Sequence, residues 1–407
     1  MRRTCSTPTR ASALARSATP TLLRDLNERT VLEAIRSGAP ISRAEISRRV
    51  GISKPTVSGT LESLLASGLV RETEGDTNGP KYGATFFEPV HEAALVLGLD
   101  LGARFLRGAV CDLRGEVQAR QDIEMPGADA QAVKAAAAEL RDRLPAAAGL
   151  PADALDCAVA GVPGVVAMPG GQIELAANIP GLEGRAIGPE LEAGLGVPVT
   201  VENDINLAAV GEQARGVAQG VEDFVFVSVG TGLGAGLILR GELHRGHHGA
   251  AGEVDYALGE GPYDEDRVDD PAGVGVSAYA ETLAAEGRLA TRLAPPFDAR
   301  VIFGAARAGD ELALAVVAEE ARRIARHVVP IAAVADVELV VLGGGIGVNG
   351  DLLLGPIREL LAQRCPYPPR VEVSSLGDAA VLTGALAFGL RSALDNVFTR
   401  RSRAARA

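Results

Sequence analysis

One hairpin pattern occurs twice in this chain, and it constrains the fold more than any other feature. The stretches AALVLGLDLGARFLRGAVCDLRGEV and FVFVSVGTGLGAGLILRGEL each hold an apolar strand, a glycine-bearing turn, a second strand and an RGE turn, about 130 residues apart. Helical patterns such as QAVKAAAAELRDRL alternate with strand patterns such as ALDCAVAGV and VELVVLGGG. The repeat predicts two lobes of similar topology, each built on a sheet, in an α/β body with a cleft between the lobes.

The first 90 residues follow a different pattern. Three helical segments are predicted, LLRDLNERTVLEAIRSG, RAEISRRV and KPTVSGTLESLLASG, and Gly51 makes the turn between the second and the third. Ser42 and Ser53 are suited to cap these two helices. LVRETEG and YGATFFEP are predicted to be two strands joined by the turn DTNGPK, which together form a wing. This order of elements is typical of a winged helix-turn-helix, which binds DNA.

The third helix begins with small and hydroxyl-bearing side chains that suit a helix entering the major groove. The predicted DNA-binding residues are Ser53, Lys54, Pro55, Thr56, Ser58, Gly59 and Thr60 on this helix, with Arg71 and Lys81 on the wing. Residues 1–90 carry a net charge of +4 and the whole chain carries −12, which favours nucleic-acid contact at one end only. The alternative is a three-helix interaction module in which Ser53 is only a cap.

Composition excludes several other classes of protein. The chain has 407 residues, 47% of them hydrophobic, which is enough for two or three domains with sizeable cores. No apolar run reaches the roughly 20 residues that span a bilayer, and the basic start lacks the apolar region of a secretory signal. We therefore expect a cytoplasmic protein without membrane contacts. The cysteines are scattered without a C-x-x-C pair, which argues against a disulfide framework or a cysteine zinc site.

Two glycine-rich turns are candidate phosphate loops. GTGLGAG spans Gly230–Gly236, and LGGGIG spans Leu342–Gly347 after an apolar strand. Such turns at strand ends leave backbone N–H groups able to face phosphate oxygens. The alternative is that these glycines only supply the positive φ angles that hairpin turns need.

Together these segments resemble the ROK family, named for repressors, open reading frames and kinases. GTGLGAGLILRGELHRGHHGAAGEVDY is similar to the family signature of GTGxGxG, a hairpin and then AGE. VENDINLAAVGE resembles the family's ENDxNxxAxGE, and GVPGVVAMPGGQIELAANIPGLEG resembles its loop with a sugar-contacting asparagine. Residues 22–392 fit the repressor branch. The resemblance implies an actin-like (RNase H-like) two-lobed sugar-kinase fold with an N-terminal winged helix-turn-helix domain.

The resemblance also implies a sugar site. In family terms Asn178, Asn203, Asp204 and Glu253 would meet sugar hydroxyls, and in kinase members Asp204 would take the proton from the hydroxyl that attacks ATP. Carboxylates and carboxamides suit this task because hydroxyls both donate and accept hydrogen bonds. Taken singly, Asp204 is more simply an N-cap of the following helix and Glu253 a solvated loop charge.

Two departures from the kinase members bear on activity. The first phosphate loop, DxGGT in kinases, is DLGARF here, so Ala103 and Arg104 replace Gly and Thr. Kinases also hold zinc through a His after AGE and three cysteines; here Tyr256 takes the His position without those cysteines, so no metal and no cofactor is expected. We assign Tyr256 to the effector pocket. The remaining candidates are vestigial phosphate and nucleotide loops: Asp100, Gly102, Arg104, Gly230, Thr231, Gly232, Gly234, Gly343 and Gly344.

These features predict a disordered basic arm (1–20), a winged helix-turn-helix head (21–90), a first lobe (91–215), a second lobe with the ligand loops and the C-terminal helix (216–392), and a basic tail (393–407). The predicted function is a transcriptional regulator of carbohydrate metabolism, a repressor that binds operator DNA as a homodimer or homotetramer. A sugar or sugar derivative between the lobes would control it. The alternatives are an active ATP-dependent sugar kinase with a DNA-binding head, which the altered first loop disfavours, and a ligand-independent regulator.

Overall fold

A computed structural model describes residues 20–74, 85–125, 127, 129–176, 179–258 and 270–404 of the chain. These residues fall into two units. The head comprises the described parts of residues 1–94, 112–116 and 395–407, and the body comprises those of 95–111 and 117–394. The boundary after Ala94 lies close to the one expected from the sequence. The predicted N-terminal arm lies almost wholly outside the described residues.

The head contains the three predicted helices and the strands of the wing. Its elements are α1 (Pro20–Arg36), β1 (Ile41–Ser42), α2 (Arg43–Val50), α3 (Lys54–Ala66), β2 (Val70–Thr73) and β3 (Phe86–Pro89). The three strands form an antiparallel sheet in the order β1-β3-β2. Its core consists of buried apolar side chains, among them Val31, Ile35, Ile46, Val57, Leu61, Leu64 and Phe87. The wing turn DTNGPK, including Lys81, lies outside the described residues.

Local sequence signals place the two helices of the helix-turn-helix. The side chain of Ser42 accepts a hydrogen bond from the N–H of Glu45, and that of Ser53 accepts one from the N–H of Thr56, each at 3.4 Å. Gly51 ends α2 at a φ of 68°, in the left-handed region that glycine occupies without strain. The predicted caps and turn are confirmed, and with them the winged helix-turn-helix.

The first lobe of the body is built on a five-stranded sheet. Its elements are β4 (Leu95–Leu101), β5 (Phe105–Cys111), β6 (Val117–Glu124), α4 (Ala130–Ala147), β7 (Leu155–Val162), β8 (Val165–Val166), β9 (Ile173–Glu174), α5 (Ile187–Leu195), β10 (Val199–Asn203) and α6 (Asp204–Arg215). The sheet order is β10-β7-β4-β5-β6; the first three strands are parallel, and β4-β5-β6 is an antiparallel meander. Strands β8 and β9 pair separately. Every residue of β4 and β7 is buried, as expected of central strands covered on both faces.

The second lobe repeats this topology. Its elements are β11 (Phe224–Val229), β12 (Leu233–Leu239), β13 (Glu242–Leu243), α7 (Gly273–Glu286), α8 (Ala299–Arg307), α9 (Glu311–Ala335), β14 (Leu339–Gly343), α10 (Gly344–Gly347), α11 (Gly350–Arg364), β15 (Arg370–Val373) and α12 (Ala380–Ala404). Its sheet, ordered β15-β14-β11-β12-β13, again joins parallel strands to an antiparallel meander. The repeated hairpin therefore has the same place in both sheets, which confirms the two-lobed α/β architecture.

Helix α12 was expected in the second lobe, but its first half packs against the first sheet. Gly98 of β4 lies against Leu386, and Gly389 lies against Val96 and Val159, so glycine on each surface allows close approach of helix and sheet. The helix continues through most of the predicted basic tail as far as Ala404. None of the helices in the described part of the chain is long and apolar enough to cross a membrane.

Arg323 of α9 fastens the segment that leads into α7. Its side chain is 3% exposed, and its Nη1 donates to the carbonyl oxygens of Asp270 (2.9 Å) and Gly275 (3.1 Å). Its Nε lies 3.3 Å from a carboxylate oxygen of Glu319, and its guanidinium lies 4.9 Å from the ring centroid of Tyr279. A buried guanidinium is tolerated where carbonyl, carboxylate and aromatic partners replace its lost hydration, as they do here.

We expect Arg323→Met to lower the free energy of unfolding of the full chain by about 3 kcal/mol, because it removes the buried hydrogen bonds to the carbonyls of Asp270 and Gly275 and the buried contact with Glu319. Urea unfolding followed by circular dichroism measures the loss. Arg322→Met is the matched control: Arg322 contacts the same Glu319 from a side chain that is 39% exposed. A loss below about 1 kcal/mol is expected there. Equal losses in the two variants would contradict the role assigned to Arg323.

Candidate functional site

A cavity of about 540 Å³ lies between the two sheets of the body. The polar side chains in its described lining are Asp100, Arg107, Asn203, Asp204, Ser228, Thr231, Glu253 and Asp378. Its glycines are Gly102, Gly164, Gly230, Gly232, Gly234, Gly344, Gly345 and Gly377. Two groups of residues predicted separately, the sugar-binding side chains and the glycine loops, thus share one cavity. Its size and mixed lining are typical of small-molecule sites.

The junction of β10 and α6 brings Asn203 and Asp204 to the cavity. Asn203 is the N-cap of α6, because its Oδ1 accepts a hydrogen bond from the N–H of Asn206 at 2.8 Å. The simpler hypothesis for Asp204, that it caps this helix, is therefore wrong. Asp204 is the first helical residue, and its Oδ1 accepts from the N–H of Ile205 (2.8 Å) and from Nδ2 of Asn203 (3.3 Å). These bonds hold the Asp204 carboxyl in the cavity wall.

The amide of Asn203 also serves the fold. Its Nδ2 donates to the carbonyl oxygen of Gly164 at 2.9 Å, which joins the end of β10 to the turn before β8. Gly164 has a φ of 90°, and a Cβ at this position would collide with the carbonyl oxygen of Glu174. Because an amide oxygen accepts two hydrogen bonds, the Asn203 oxygen retains the capacity for one more beyond the cap.

Three carboxyl groups of the cavity have raised pKa values. Desolvation raises the pKa of Asp204 to about 7; the charges of Asp100 and Glu253 add to the increase, and the hydrogen bond from the N–H of Ile205 opposes it. Desolvation also raises the pKa of Asp100, against the opposing charge of Arg107, and it raises the pKa of Glu253. Near neutral pH the Asp204 carboxyl is therefore partly protonated and can either donate or accept a hydrogen bond.

A segment that follows β13, Arg245–Glu253, carries Glu253 to the cavity. Nε of Arg245 donates to Oε2 of Glu202 at 2.5 Å, and its guanidinium lies 5.4 Å from the ring centroid of Phe388 on α12. The other oxygen of Glu202 accepts from the N–H of Asn203 (2.9 Å) and from Nδ2 of Asn206 (3.0 Å). One buried carboxylate on the first sheet thus joins the Asn203 turn to the segment from the second lobe.

The residue before Glu253 must be glycine. Gly252 has a φ of 103°, and a Cβ at this position would collide with the carbonyl oxygen of Ala235 on β12. The N–H of Ala235 donates to the carbonyl of Gly252 at 2.9 Å. The AGE motif therefore owes its glycine to close packing of this segment against β12, and the packing sets where Glu253 enters the cavity.

The arginine that lines the cavity near the first phosphate loop is not the predicted one. Asp100 and Gly102 line the cavity, but Arg104 does not; its side chain is 76% exposed and lies 3.1 Å from Glu124. Arg107, three residues further on, lines the cavity instead, and its Nη1 lies 3.0 Å from Oδ2 of Asp100. Arg104 lies in the turn, as predicted, but it does not line the cavity; the arginine of the described lining is Arg107 on β5.

Two other predicted residues, Tyr256 and Gly343, are not part of the described lining. Tyr256 is 42% exposed, and Gly343 is buried at the end of β14 against the ring of Phe226. Asn178 lies outside the described residues. The second glycine turn reaches the cavity through Gly344 and Gly345.

The residues present do not fit the zinc site of kinase members. Tyr256 offers no imidazole at the position of the family histidine, and Cys111, Cys157 and Cys365 are buried elsewhere in the fold. Within the ranges that the structure describes, no group of three His, Cys, Asp or Glu side chains is placed to hold a metal ion.

The start of α3 presents most of the predicted DNA-binding residues. Exposed positions are Ser53, Lys54, Pro55, Thr56 and Gly59, and Ser58 is partly exposed. Thr60 is 7% exposed, so the prediction that it contacts DNA is wrong; it lies on the buried face of the helix, three residues after Val57. Arg71 is exposed on β2 and pairs with Glu88 of β3, its cross-strand neighbour, at 2.6 Å.

Sequence reasoning missed Arg107, Asp378 and the Glu202–Arg245 pair. Arg107 had a detectable signal: in an antiparallel hairpin that turns at residues 103–104, it falls directly opposite Asp100. Glu202 is part of the END motif but was not considered. Its partner Arg245 is 43 residues away in the chain, and no local pattern joins the two.

Two sheets of repeated topology with a polar cavity between them, joined to a winged helix-turn-helix, define a sugar-kinase-like body with a DNA-binding module. Residues 96–391 match the ROK family, and residues 25–79 match the MarR family. The chain belongs to the ROK family.

Relatives of this chain include both regulators and enzymes. A xylose repressor of Caldicellulosiruptor bescii is 27% identical over 391 residues, which cover 90% of this chain and 96% of that protein. A glucokinase of Halalkalibacterium halodurans is 30% identical over 71% of this chain and 93% of its own length. A crystal structure of a ROK family transcriptional regulator, a homologue of the E. coli MLC protein, has a TM-score of 0.75 with 22% identity, covering 92% of this chain and 97% of that one.

The raised pKa of Asp204 predicts a pH dependence of stability. Because its folded pKa of about 7 lies above the unfolded value of 3.8, the folded state binds more protons between these limits. The stability contributed by this group is therefore complete below about pH 4 and falls as pH rises to about 7, by an amount on the order of 4 kcal/mol.

We expect Asp204→Asn to flatten the decline in unfolding free energy between pH 5 and pH 8, measured by urea unfolding, because the amide does not ionise. Asp378→Asn is the control, since Asp378 lies in the same cavity but is exposed. The unfolding free energy of Asp378→Asn should decline between pH 5 and pH 8 as much as that of the unmodified protein. An unchanged decline in Asp204→Asn would show that this carboxyl titrates at its ordinary pKa.

Proposed function

We propose that this protein is a transcriptional repressor whose affinity for operator DNA is controlled by a sugar bound in the cavity between the lobes. One observation carries the proposal: the same chain holds an exposed recognition helix at Lys54–Ala66 and a cavity lined by Asn203, Asp204 and Glu253. The match to a xylose repressor over 96% of that protein's length supports this combination.

The cavity suits a polyhydroxylated ligand. Each hydroxyl of a sugar donates one hydrogen bond and accepts others, so it needs partners of both kinds when it leaves water. Asp204 and Glu253 supply carboxyl groups, and Asn203, Ser228 and Thr231 supply neutral polar groups around the same space. A ligand lacking one hydroxyl would leave a buried group unpaired, which is the physical basis of selection among sugars.

Control of DNA binding requires the sugar to bind two states of the protein with different affinity, because an effector shifts an equilibrium only through that difference. A helix-turn-helix protein reads two half-sites as a symmetric dimer. We therefore infer a homodimer, or a homotetramer built from such dimers, in which the sugar biases the arrangement that fits the operator.

An ATP-dependent sugar kinase is the second candidate. Asp204 favours it, because a carboxyl with a pKa of about 7 suits a general base, and so does the glucokinase relative. The ion pair between Arg107 and Asp100 opposes it, since it engages the carboxylate of the first phosphate loop. We infer a non-enzymatic protein. ATP turnover with a sugar, lost in Asp204→Asn while sugar binding persists, would show instead that the protein is a kinase.

Lys54→Ala should weaken binding to a DNA fragment from upstream of the protein's own gene by about tenfold at 0.15 M salt, because a cation at the start of the recognition helix contacts phosphates or base edges. Fluorescence anisotropy of the labelled fragment measures it. Lys134→Ala, which removes a lysine of the body paired with Glu190, is the control and should bind DNA normally. Failure of the unmodified protein to bind any fragment at this salt concentration would refute the proposal.

The sugars to be tested as effectors are D-xylose, D-glucose and N-acetyl-D-mannosamine. They are chosen from the names of three related proteins, a xylose repressor, a glucokinase and an N-acetylmannosamine kinase. An effector should change the DNA-binding midpoint and, at 100 times its Kd, add about 2.7 kcal/mol of stability. Asp204→Asn should lose both responses and still bind DNA. A protein that binds DNA but shows neither response across a wider sugar panel is a ligand-independent regulator.

A further inference from the structure

The charges around the cavity restrict the class of effector. Among the lining residues that the structure describes, four carry carboxyl groups, Asp100, Asp204, Glu253 and Asp378, and one carries a guanidinium, Arg107. The described lining contains neither lysine nor histidine. A ligand in this cavity therefore meets an excess of acidic groups.

The one guanidinium of this lining is already engaged. Arg107 and Asp100 are directly opposed across the β4–β5 hairpin, and Nη1 of Arg107 lies 3.0 Å from Oδ2 of Asp100. Nε of Arg107 lies 3.8 Å from Asp122 on β6. With two carboxylates around it, Arg107 offers an incoming anion little uncompensated positive charge.

In two of the glycine turns the N–H of the first glycine is engaged within the turn itself. The N–H of Gly102 donates to the carbonyl of Phe105 at 2.9 Å, and the N–H of Gly230 donates to the carbonyl of Gly232 at 3.0 Å. Loops that bind phosphate do so by pointing successive N–H groups at its oxygens. In these two turns the N–H of the first glycine instead forms the hydrogen bond that closes the turn.

We propose that the cavity selects an uncharged, unphosphorylated sugar and discriminates against sugar phosphates. This inference rests on the proposed function, because it specifies the ligand of the same site. A phosphate dianion would lie among carboxyl groups, and the one guanidinium of the described lining is already paired with Asp100. Neutral hydroxyls find the partners they need in the same carboxyl groups.

The test compares matched pairs of ligands by isothermal titration calorimetry on the full-length protein at pH 7.5. The pairs are D-xylose with D-xylose 5-phosphate and D-glucose with D-glucose 6-phosphate; D-glucosamine is added as a cation. We expect the uncharged member of the binding pair to bind at least about 30-fold more tightly than its phosphate. A phosphate that binds equally or better, or glucosamine that binds better than glucose, overturns the inference but leaves a sugar-responsive repressor intact.

Absence of binding to all five ligands and to the wider sugar panel, confirmed by an unchanged DNA-binding midpoint with each sugar, overturns the sugar response itself and this inference with it. The two failures are thus distinguishable in one set of measurements.

A charge variant tests the cause. Asp100→Asn removes one negative charge and releases Arg107, so the affinity ratio of sugar to sugar phosphate should fall at least about tenfold. Glu124→Gln is the matched control; it breaks the exposed Arg104–Glu124 pair outside the described lining and should leave the ratio unchanged. If Asp100→Asn does not fold, Asp378→Asn at an exposed lining position should lower the ratio about threefold. A ratio that stays constant in the folded variant overturns the assignment.

Discussion

Desolvation of carboxyl groups is the constraint around which the body is organised. Asp100, Asp204 and Glu253 share one cavity, and burial there disfavours their charged forms. The groups that offset this cost come from different parts of the chain. Asp100 has an arginine from the next strand, and Asp204 has the N–H of Ile205 together with the amide of Asn203. These partners stabilise the carboxyl groups only if the strands and helix starts are held rigidly. The packing of the two sheets provides that rigidity.

Glu202 extends that rigidity from one lobe to the other. Its two oxygens hold the Asn203 turn, the start of α6 and Arg245, the first residue of the segment that ends in Glu253. A carboxylate that is 5% exposed tolerates burial because these donors replace its water. Breaking one contact would leave a buried charge unpaired, which is costly. The two parts of the proposed sugar site, Asn203–Asp204 and Glu253, are therefore coupled through a residue that does not line the cavity in the described structure.

Sequence patterns predicted what depends on neighbours along the chain. The caps Ser42 and Ser53, the turn at Gly51 and the repeated hairpin are all local signals, and the structure confirms them. The errors arose where tertiary contacts decide. Asn203 rather than Asp204 caps α6 because the helix already begins at Asp204, and Thr60 is buried although its type suits a DNA contact. Arg104 was assigned from its place in the turn that resembles DxGGT, and the motif does not show that its side chain pairs with Glu124 on β6 at the surface.

A regulator and a kinase can share this body because their energetic demands differ. A kinase must hold a nucleotide phosphate and stabilise the charge that develops during its transfer, which requires cations and backbone donors free to act. A regulator needs only that its ligand bind one state better than another. In this chain an arginine directly opposite Asp100 engages the carboxylate of the first loop, whereas Asn203, Asp204 and Glu253 line the cavity without contact to that arginine. This arrangement is a physical reason to propose a regulator rather than a kinase.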